Sequence, residues 1–284
     1  MDGFLLVDKE LNMTSFQVCN KLRHNLSLDK CGHSGTLDPA ATGLMIVAVN
    51  RATKLLKLFN YDKKIYETTI IFGIKTDSYD LDGNVLATKK MDFSLDELNN
   101  AIQELKMDEF QIPPQKSAIS LNGKRLYSYK EELDLRELKR NVKINDVKVL
   151  DFYTNGDGDI EAKIYLDVSK GFYVRSFAND LGEKLNGYGT VKNLRRIGIE
   201  GFNLANAKKI ADISQTDIIP IEKFLNLPTV NINLGFKKFV LNGITLDERQ
   251  TTISGAFYVK CDDEVIAIYE EVDKNKYKPV LIFK

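Results

Sequence analysis

The sequence is poor in the residues that mark several large protein classes. Its 284 residues include three cysteines, Cys19, Cys31 and Cys261, and no Cys-x-x-Cys pair. This scattered set excludes a disulfide scaffold, gives no indication of a structural metal site, and is typical of reduced thiols in the cytosol. Lys plus Arg and Asp plus Glu both number 40, so the formal net charge is zero. The total charge therefore indicates no partner of either sign.

Long apolar runs are lacking as well. The longest, Gly43 to Val49, is far shorter than the roughly 20 residues that a membrane-spanning helix needs. The first residues carry no basic segment, and their apolar run is too short for a signal peptide. We therefore expect a soluble cytoplasmic protein with no membrane partner. No heptad pattern or spare apolar helix indicates self-association, so we expect a monomer.

The composition and the order of elements predict an α+β protein. Hydrophobic residues make up 43 % and charged residues 28 %, values typical of globular chains. Helix and strand patterns mix without a regular βαβ alternation, which favours a mixed, largely antiparallel sheet. We place a large domain at 1–229, with an irregular basic insertion at about 106–141, and a small β-rich domain at 230–284.

Local patterns predict the individual elements. Thr14 or Ser15 can cap a helix whose apolar stripe is Phe16, Cys19, Leu22 and Leu26. The capping box Ser94-Leu95-Asp96-Glu97 predicts a helix that ends near residue 105. Apolar runs and alternation predict strands at 4–7, 44–49, 65–72, 142–152, 160–168 and 194–199, helices at 51–59 and 174–185, and tail strands at 239–241, 256–259, 265–269 and 280–283.

The densest chemical signal is GHSGTLDPAATG, residues 32–43. Its three glycines let the backbone approach a ligand closely. Pro39 favours an extended conformation for Asp38, which suits that carboxylate to act as a nucleophile or a base. A bare Asp-Pro pair is more often an ordinary turn, but twelve residues of this composition favour a site.

A second candidate group lies further along the chain. Tyr173 and Arg175 are two residues apart, and in an extended segment 170–175 their side chains would share one face. An arginine opposite a carboxylate keeps that carboxylate ionised. Spacing alone, however, favours a structural Arg–Asp pair beside a core tyrosine. The acidic segment 76–82 lacks the spaced Gly and the closing Glu of an EF-hand, so we predict a solvated loop near the cleft and no metal.

Basic residues are grouped although the net charge is zero. Tyr127 and Tyr129 are interleaved with them, and aromatic rings among cations suit RNA, since base stacking adds to phosphate contact. Several such groups predict a segregated RNA surface. The groups are Lys116, Lys124, Arg125 and Lys130; Arg136, Lys139 and Arg140; and Lys192, Arg195 and Arg196.

The glycine-rich segment resembles the signature of the bacterial TruB family of tRNA pseudouridine(55) synthases. Three further segments resemble that family's motifs in the same order: GFLLVDKELNMTS, KIYETTIIFGIKTDSYDLDG, and SKGFYVRSFANDLGEKL followed by VKNLRRIGI. The tail is similar to a shortened PUA domain, an RNA-binding β-module. The chain departs from the family pattern at Glu10 and Asn12, where Pro and Gly are usual, and at Ser120, where Lys is usual.

The resemblance implies an isomerase that converts uridine 55 in the T-loop of tRNA to pseudouridine. It implies base flipping, no cofactor, no metal and no guide RNA. A role as a tRNA-folding chaperone is a further hypothesis. It is either secondary to the isomerase activity or, as the alternative, the main activity of the protein.

The resemblance also assigns roles to residues. Asp38 is the nucleophile or the carboxylate that starts glycosidic cleavage; the residues leave that choice open. Tyr173 is the candidate base for the C5 proton, and Arg175 is the partner of Asp38. Substrate binding falls to His33, Tyr66, Tyr173 and Leu194. Without the resemblance, Tyr66 and Leu194 would be core residues, and His33 could simply stabilise a turn.

Overall fold

The computed structural model describes residues 1–58, 61–129, 131 and 133–283. Its α-helices are α1 (Ser15–Asn25), α2 (Leu95–Met107), α3 (Val174–Lys184), α4 (Ile221–Leu225) and α5 (Leu234–Leu241). The first ten strands are β1 (Gly3–Lys9), β2 (Cys31–His33), β3 (Ala41–Val49), β4 (Lys63–Phe72), β5 (Ile74–Thr76), β6 (Val85–Thr88), β7 (Phe110–Gln111), β8 (Ser120–Leu121), β9 (Lys124–Arg125) and β10 (Arg140–Asn141).

The other strands are β11 (Ile144–Thr154), β12 (Ile160–Ser169), β13 (Gly189–Ile199), β14 (Phe202–Asn203), β15 (Ile219–Pro220), β16 (Thr229–Asn231), β17 (Leu246–Asp247), β18 (Ala256–Cys261), β19 (Glu264–Asp273) and β20 (Lys276–Ile282). Short 3-10 helices are found at Asn50–Lys57, Leu126–Ser128, Arg136–Leu138, Leu204–Asn206, Ile210–Asp212 and Gln215–Asp217. No helix among the described residues is long and apolar enough to cross a membrane.

A nine-stranded sheet forms the main body. Its strand order is β11-β12-β4-β13-β3-β1-β15, with β2 beside β3 and β14 beside β13. Within the described residues β3 and β13 pair in parallel, and the other neighbouring strands of this sheet pair antiparallel. The predicted α+β class with a largely antiparallel sheet is thereby confirmed.

Both faces of the central strands are buried. In β3, Met45 and Val47 belong to one hydrophobic cluster, together with residues of α1, α2 and α3. Leu44 and Ile46 point the other way, into a second cluster. Burial on both sides explains why this strand is a continuous apolar run rather than an alternating one.

The second cluster joins the main sheet to a C-terminal sheet with the order β16-β18-β19-β20-β17. Phe4 and Ile46 from the main sheet pack in one cluster with Tyr258 and Ile268. The Tyr258 hydroxyl also donates a hydrogen bond to the carbonyl of Ile221, at 2.9 Å. The boundary at residue 230 and the PUA-like character of this sheet stay predictions.

Three local predictions outside the site differ from the structure. Phe16 is 69 % exposed, because the buried face of α1 is formed by Ser15, Val18, Cys19 and Leu22 instead. Residues 239–241, predicted as a strand, form the last turn of α5, which Asn233 caps through the Phe236 N–H. The helix predicted at 51–59 is a 3-10 helix that ends at Lys57, and its predicted last residue, Phe59, lies outside the described residues.

Candidate active site

The loop that carries Asp38 is fixed by α1 and by β1. Thr14 caps α1 in a capping box with Gln17, which leaves the buried hydroxyl of Ser15 for another use. That hydroxyl accepts from the Leu37 N–H at 2.9 Å and donates to the Leu37 carbonyl at 3.1 Å. Two bonds to one residue hold the backbone immediately before Asp38.

Lys9 holds the same loop just after Asp38, at Pro39. Its side chain is fully buried at the end of β1, and its ammonium donates to the carbonyls of Glu10, Met13 and Pro39 at 3.0, 2.7 and 3.3 Å. Burial lowers the pKa of Lys9 to about 8, an effect that the nearby Asp38 carboxylate opposes. Lys9 therefore connects the turn at residues 10–13 with Pro39, the residue that follows Asp38.

Asp38 and Arg175 form the central ion pair. The Asp38 Oδ2 atom lies 2.7 Å from Arg175 Nη2. The Asp38 side chain is 43 % exposed, whereas that of Arg175 is 6 % exposed. A half-exposed carboxylate is thus held against a buried guanidinium, which orients the acid while leaving one side of it open to a ligand.

Arg175 is held from several directions. Its Nη1 donates to the Ser78 carbonyl and its Nη2 to the Lys116 carbonyl, each at 3.0 Å. A second carboxylate, Asp80, lies with Oδ2 3.5 Å from Nη1. Asp80 in turn accepts a 2.5 Å hydrogen bond from the Ser78 hydroxyl. The guanidinium is therefore shared between two carboxylates and fixed by two backbone carbonyls.

The segment 170–175 is extended only in part, because Tyr173 has φ −109° and ψ 111° but α3 begins at Val174, in agreement with the helix predicted at 174–185. Tyr173 is the N-cap of α3, and Arg175 lies in the first turn of that helix. Gln111, which is buried, fixes the Tyr173 backbone by accepting from its N–H at 2.8 Å and donating to its carbonyl at 3.0 Å. The side chains of Tyr173 and Arg175 nevertheless line the same cavity. Side chains in a helix lean toward its N-terminus, so Arg175 in the first turn points back toward Tyr173.

A cavity of about 310 Å³ brings together most of the predicted site residues. Asp38, Tyr66, Tyr173, Arg175 and Leu194 all line it. The insertion contributes further lining through residues 117–119, and the volume lies at the small end of the range for ligand pockets. The five side chains come from separate parts of the sequence, and the sheet assembles them.

Neighbouring strands place Tyr66 and Leu194. Tyr66 of β4 lies opposite Arg196 in the ladder with β13, and Leu194 lies opposite Ala41 in the parallel ladder with β3. At the end of that parallel ladder Gly43 has a φ of 106°, and a Cβ there would lie 2.2 Å from the Arg196 carbonyl oxygen. A glycine is thus required where the Asp38 loop joins the sheet.

His33 lies outside the lining of this cavity. It is the last residue of β2, opposite Val47 of β3, and its buried Nδ1 makes no hydrogen bond to the described residues. Burial lowers the pKa of His33, and the positive charge of Arg196 adds to that effect. The predicted role of His33 beside the displaced base stays a prediction.

The third predicted basic group is only partly exposed, because Arg196 is buried whereas Lys192 and Arg195 reach the surface. Arg196 is 1 % exposed, and it donates to the carbonyls of Leu44 and Gly35 at 2.8 and 3.3 Å. Lys192 pairs with Glu161 and Arg195 with Asp8, both at 2.7 Å. Lys130 of the first group lies outside the described residues.

The acidic loop at 76–82 is less solvated than predicted. Thr76, Ser78 and Asp80 are buried, and Val191 of β13 makes two backbone hydrogen bonds to the loop, one with Tyr79 and one with Leu81. The loop lies beside the cleft, as expected, and supplies Asp80 to Arg175. Among the described residues, no cluster of His, Cys, Asp or Glu is arranged to hold a metal ion.

Sequence comparison decides the family. Residues 23–174 match the family model described as TruB family pseudouridylate synthase (N terminal domain). The chain belongs to the TruB family of pseudouridylate synthases. It is 36 % identical to the tRNA pseudouridine synthase B of Lactobacillus acidophilus over 296 aligned positions, which cover 99 % of this chain and 98 % of that protein. The predicted family and the predicted isomerase class are confirmed.

Other TruB relatives match over a similar length. The tRNA pseudouridine synthase B of Onion yellows phytoplasma is 35 % identical, with 100 % of both chains covered. That of Aquifex aeolicus is 33 % identical, with 95 % of this chain and 96 % of the relative covered. The TruB motifs noted in the sequence thus lie within an alignment that extends over the whole chain.

Solved structures share the fold at lower identity. A chain of an H/ACA RNP bound to a substrate RNA containing 2′-deoxyuridine has a TM-score of 0.69 and 20 % identity, with 99 % of this chain and 85 % of that chain covered. A chain of a Cbf5-Nop10-Gar1 complex has a TM-score of 0.68 and 21 % identity, with 99 % and 84 % covered. At this identity the likeness shows a shared fold.

Proposed function

We propose that this enzyme converts uridine 55 in the T-loop of tRNA to pseudouridine without a guide RNA. The observation that carries the proposal is the Asp38–Arg175 ion pair, at 2.7 Å, in a cavity that Tyr66, Tyr173 and Leu194 also line. The names of the TruB relatives support tRNA as the substrate. We also propose a cytoplasmic monomer whose C-terminal sheet contributes to tRNA binding.

The reaction breaks the N1–C1′ bond, turns the uracil and joins its C5 to C1′, after which the C5 proton leaves. Asp38 supplies the carboxylate that starts the cleavage, as nucleophile or as base. Arg175 orients Asp38 through their ion pair, since the guanidinium is itself fixed by the carbonyls of Ser78 and Lys116. All atoms of the uridine are retained apart from that exchanged proton.

The other lining residues bind and turn the base. Tyr66 stacks on the uracil, Leu194 packs against it, and Tyr173 accepts the C5 proton. A cavity this small admits one nucleotide, so the target must be flipped out of its loop, at about a few kcal/mol. His33, in the strand just before the Asp38 loop, helps to hold the RNA in the opened state.

Tritium release from a tRNA transcript labelled with [5-³H]uridine tests the proposal. We expect the wild type to release tritium from bare transcript without any added RNA. Asp38→Asn keeps the side-chain shape and removes the charge, so we expect a folded, tRNA-binding and inactive variant. Turnover by Asp38→Asn would refute the role of Asp38, and release only with a guide RNA would refute the stand-alone reaction.

The same variant tests the chaperone hypothesis. If refolding of tRNA is the main activity, Asp38→Asn complements a deletion strain fully, whereas removal of residues after 233 does not. If isomerisation is the main activity, Asp38→Asn fails to restore the pseudouridine. Mapping of pseudouridine in tRNA from the complemented strains separates the two activities.

A further inference from the structure

Lys64 is a cation of the cavity that no carboxylate neutralises at close range. Four charged residues line the cavity: Asp38, Lys64, Arg175 and Arg196. Asp38 pairs with Arg175, and Asp80 approaches the same guanidinium. Within residues 1–58, 61–129, 131 and 133–283, neither Lys64 nor Arg196 has a carboxylate at ion-pair distance. Even with Asp80 included, the site carries an excess of positive charge.

Of these two cations, only Lys64 is placed to meet a ligand. Arg196 is 1 % exposed, and its donors are directed at the carbonyls of Leu44 and Gly35 and at the side chain of Tyr66. Lys64 is partly exposed, and its ammonium makes no hydrogen bond within the described part of the chain. It therefore retains three donors at the cavity wall.

The surroundings of Lys64 disfavour its charge. Burial lowers the pKa of Lys64 to about 8, and the positive charges of Arg196 and Lys170 contribute to the same shift. Asp62 opposes the shift. The positive charges of Arg196 and Lys170 also attract an anion, and such a ligand would relieve their repulsion of the lysine.

The position of Lys64 separates it from the base-binding end of the cavity. Lys64 and Tyr66 are two residues apart in β4, so their side chains share a face and their Cα atoms are roughly 7 Å apart. Tyr66 is buried, whereas Lys64 is partly exposed and follows the exposed Lys63 at the start of the strand. The cavity thus runs from an open cationic end to a closed aromatic end.

We propose that the Lys64 ammonium binds the phosphodiester of the target nucleotide once its base lies against Tyr66. The inference rests on the proposed function, because it takes the ligand to be a flipped uridine. A phosphodiester carries a full negative charge at all stages, whereas the uracil is neutral until its glycosidic bond breaks. Lysine is a common phosphate ligand, acting as a compact point charge.

The test uses a T-arm hairpin RNA in two forms, one fully phosphodiester and one with a neutral methylphosphonate on either side of the target uridine. The proteins are the full-length wild type, Lys64→Gln, Lys64→Arg and Lys63→Gln. Lys63 is a matched control, because its ammonium pairs with Asp167 at 2.7 Å and it is the neighbour of Lys64 in sequence. Binding is measured over a range of salt, and kcat and KM are measured by tritium release.

We expect Lys64→Gln to weaken binding of the phosphodiester RNA about tenfold and to reduce the slope of log K against log salt by about 0.7, the value for one contact on a single strand. We expect kcat to stay within about twofold, since the phosphate contact is the same before and during reaction. Lys64→Arg should restore most of the binding, and Lys63→Gln should behave as the wild type. On methylphosphonate RNA, wild type and Lys64→Gln should bind alike.

Three results would overturn the inference. One is an equal loss for Lys64→Gln on both RNAs. Another is a fall in kcat with unchanged KM, which would assign Lys64 to charge that develops on the base. The third is an equal loss for Lys63→Gln, which would indicate a general surface effect. Tritium release by the wild type is scored separately, so failure of the phosphate contact does not count against the proposed reaction.

Discussion

Arg175 is the residue whose guanidinium lies close to both carboxylates of the site. It pairs with Asp38 at 2.7 Å and lies 3.5 Å from Asp80, a residue that is 8 % exposed. The nearer carboxylate is half exposed and faces the cavity, whereas the farther one is buried and bonded to Ser78. We therefore propose that Asp80 is a positioning residue, which acts on the Asp38 carboxylate through Arg175.

We expect Asp80→Asn to lower kcat about tenfold, because Arg175 loses one of its two anionic partners and its geometry toward Asp38 relaxes. Binding of tRNA should change little, since Asp80 does not line the main cavity. The measurement is single-turnover tritium release beside filter binding. Asp82→Asn, an exposed neighbour in the same loop, is the control. Unchanged single-turnover rates for Asp80→Asn would contradict the positioning role.

The lowered pKa of Lys64 also predicts how the free energy of unfolding depends on pH. Its pKa is about 8 in the folded protein and 10.5 in its ordinary state, so between these pH values the unfolded chain binds more protons. Stability of the wild type therefore gains a contribution as pH rises through this window. Lys64→Met lacks the group, and at pH 7 we expect it to be more stable by about 2 kcal/mol, a value reduced for the partial exposure of Lys64.

Urea unfolding of the wild type and Lys64→Met at pH 7, 8, 9 and 10 measures this difference. The gap between the two proteins should shrink toward pH 10. A gap that is constant with pH would show that packing, rather than charge, determines the effect of the substitution.

At the scale of elements, the start of α1 serves the active loop as well as the helix. Thr14 caps the helix, and Ser15 holds both backbone groups of Leu37. We expect Ser15→Ala to cost about 1–3 kcal/mol, because it leaves two buried backbone groups unpaired. We also expect a lower kcat, because Asp38 directly follows Leu37 in the chain. Thr14→Ala is the matched variant, for which we expect about 1 kcal/mol from loss of the cap and an unchanged kcat.

Thermal unfolding and tritium release distinguish these variants. An equal loss of kcat for Thr14→Ala and Ser15→Ala would show that helix stability in general, rather than the Leu37 contact, supports the loop.

Elements with strong local signals could be predicted from the sequence, and elements that depend on distant contacts could not. The capping box of Ser94 and Glu97 gives α2 within about two residues, because the signal is contained in one turn. Residues 239–241 are a short apolar run that fits a strand or a helix equally, and the cap at Asn233 decides for the helix.

The site shows the same division. The motifs that resemble the TruB family named five of the cavity residues, whereas Asp80, Gln111 and Ser15 act through contacts with partners 95, 62 and 22 positions away. Nothing in the local sequence of these three residues indicates such partners. Arg196 was grouped with surface cations for the same reason, since its burial depends on the pairing of β13 with β4 and β3.

At the scale of the whole molecule, the two sheets share a hydrophobic cluster. Phe4 and Ile46 pack in it with Tyr258 and Ile268, and Arg51 bridges Asp2 and Glu264 at 2.7 Å each. Removal of the C-terminal sheet would therefore expose apolar residues of the main sheet. The connection between the sheets is a packed core, which stabilises more than the exposed ion pairs do.

We expect a chain that ends at residue 229 to unfold at a lower temperature than the full chain and to aggregate. The control is Glu264→Gln in the full chain, which removes only the ion pairs of Glu264 with Arg51 and Lys237 and should cost less than about 1 kcal/mol. Calorimetry measures the unfolding temperature, and light scattering measures aggregation. If the shortened chain keeps the melting temperature of the full chain, the second cluster contributes little, and the C-terminal sheet is thermodynamically independent.

The parallel ladder between Ala41–Gly43 and Leu194–Arg196 has a bearing on how the protein is made. During synthesis β3 can pair with β1 and β2, which emerge before it, but its first residues, 41–43, and the Asp38 loop that precedes them must wait for β13. Pairings this distant in sequence form slowly, and apolar surface that stays uncovered in the meantime favours chaperone binding and aggregation. A ribosome that stalls before residue 196 would therefore hold a nascent chain that contains Asp38 but has no enzyme activity.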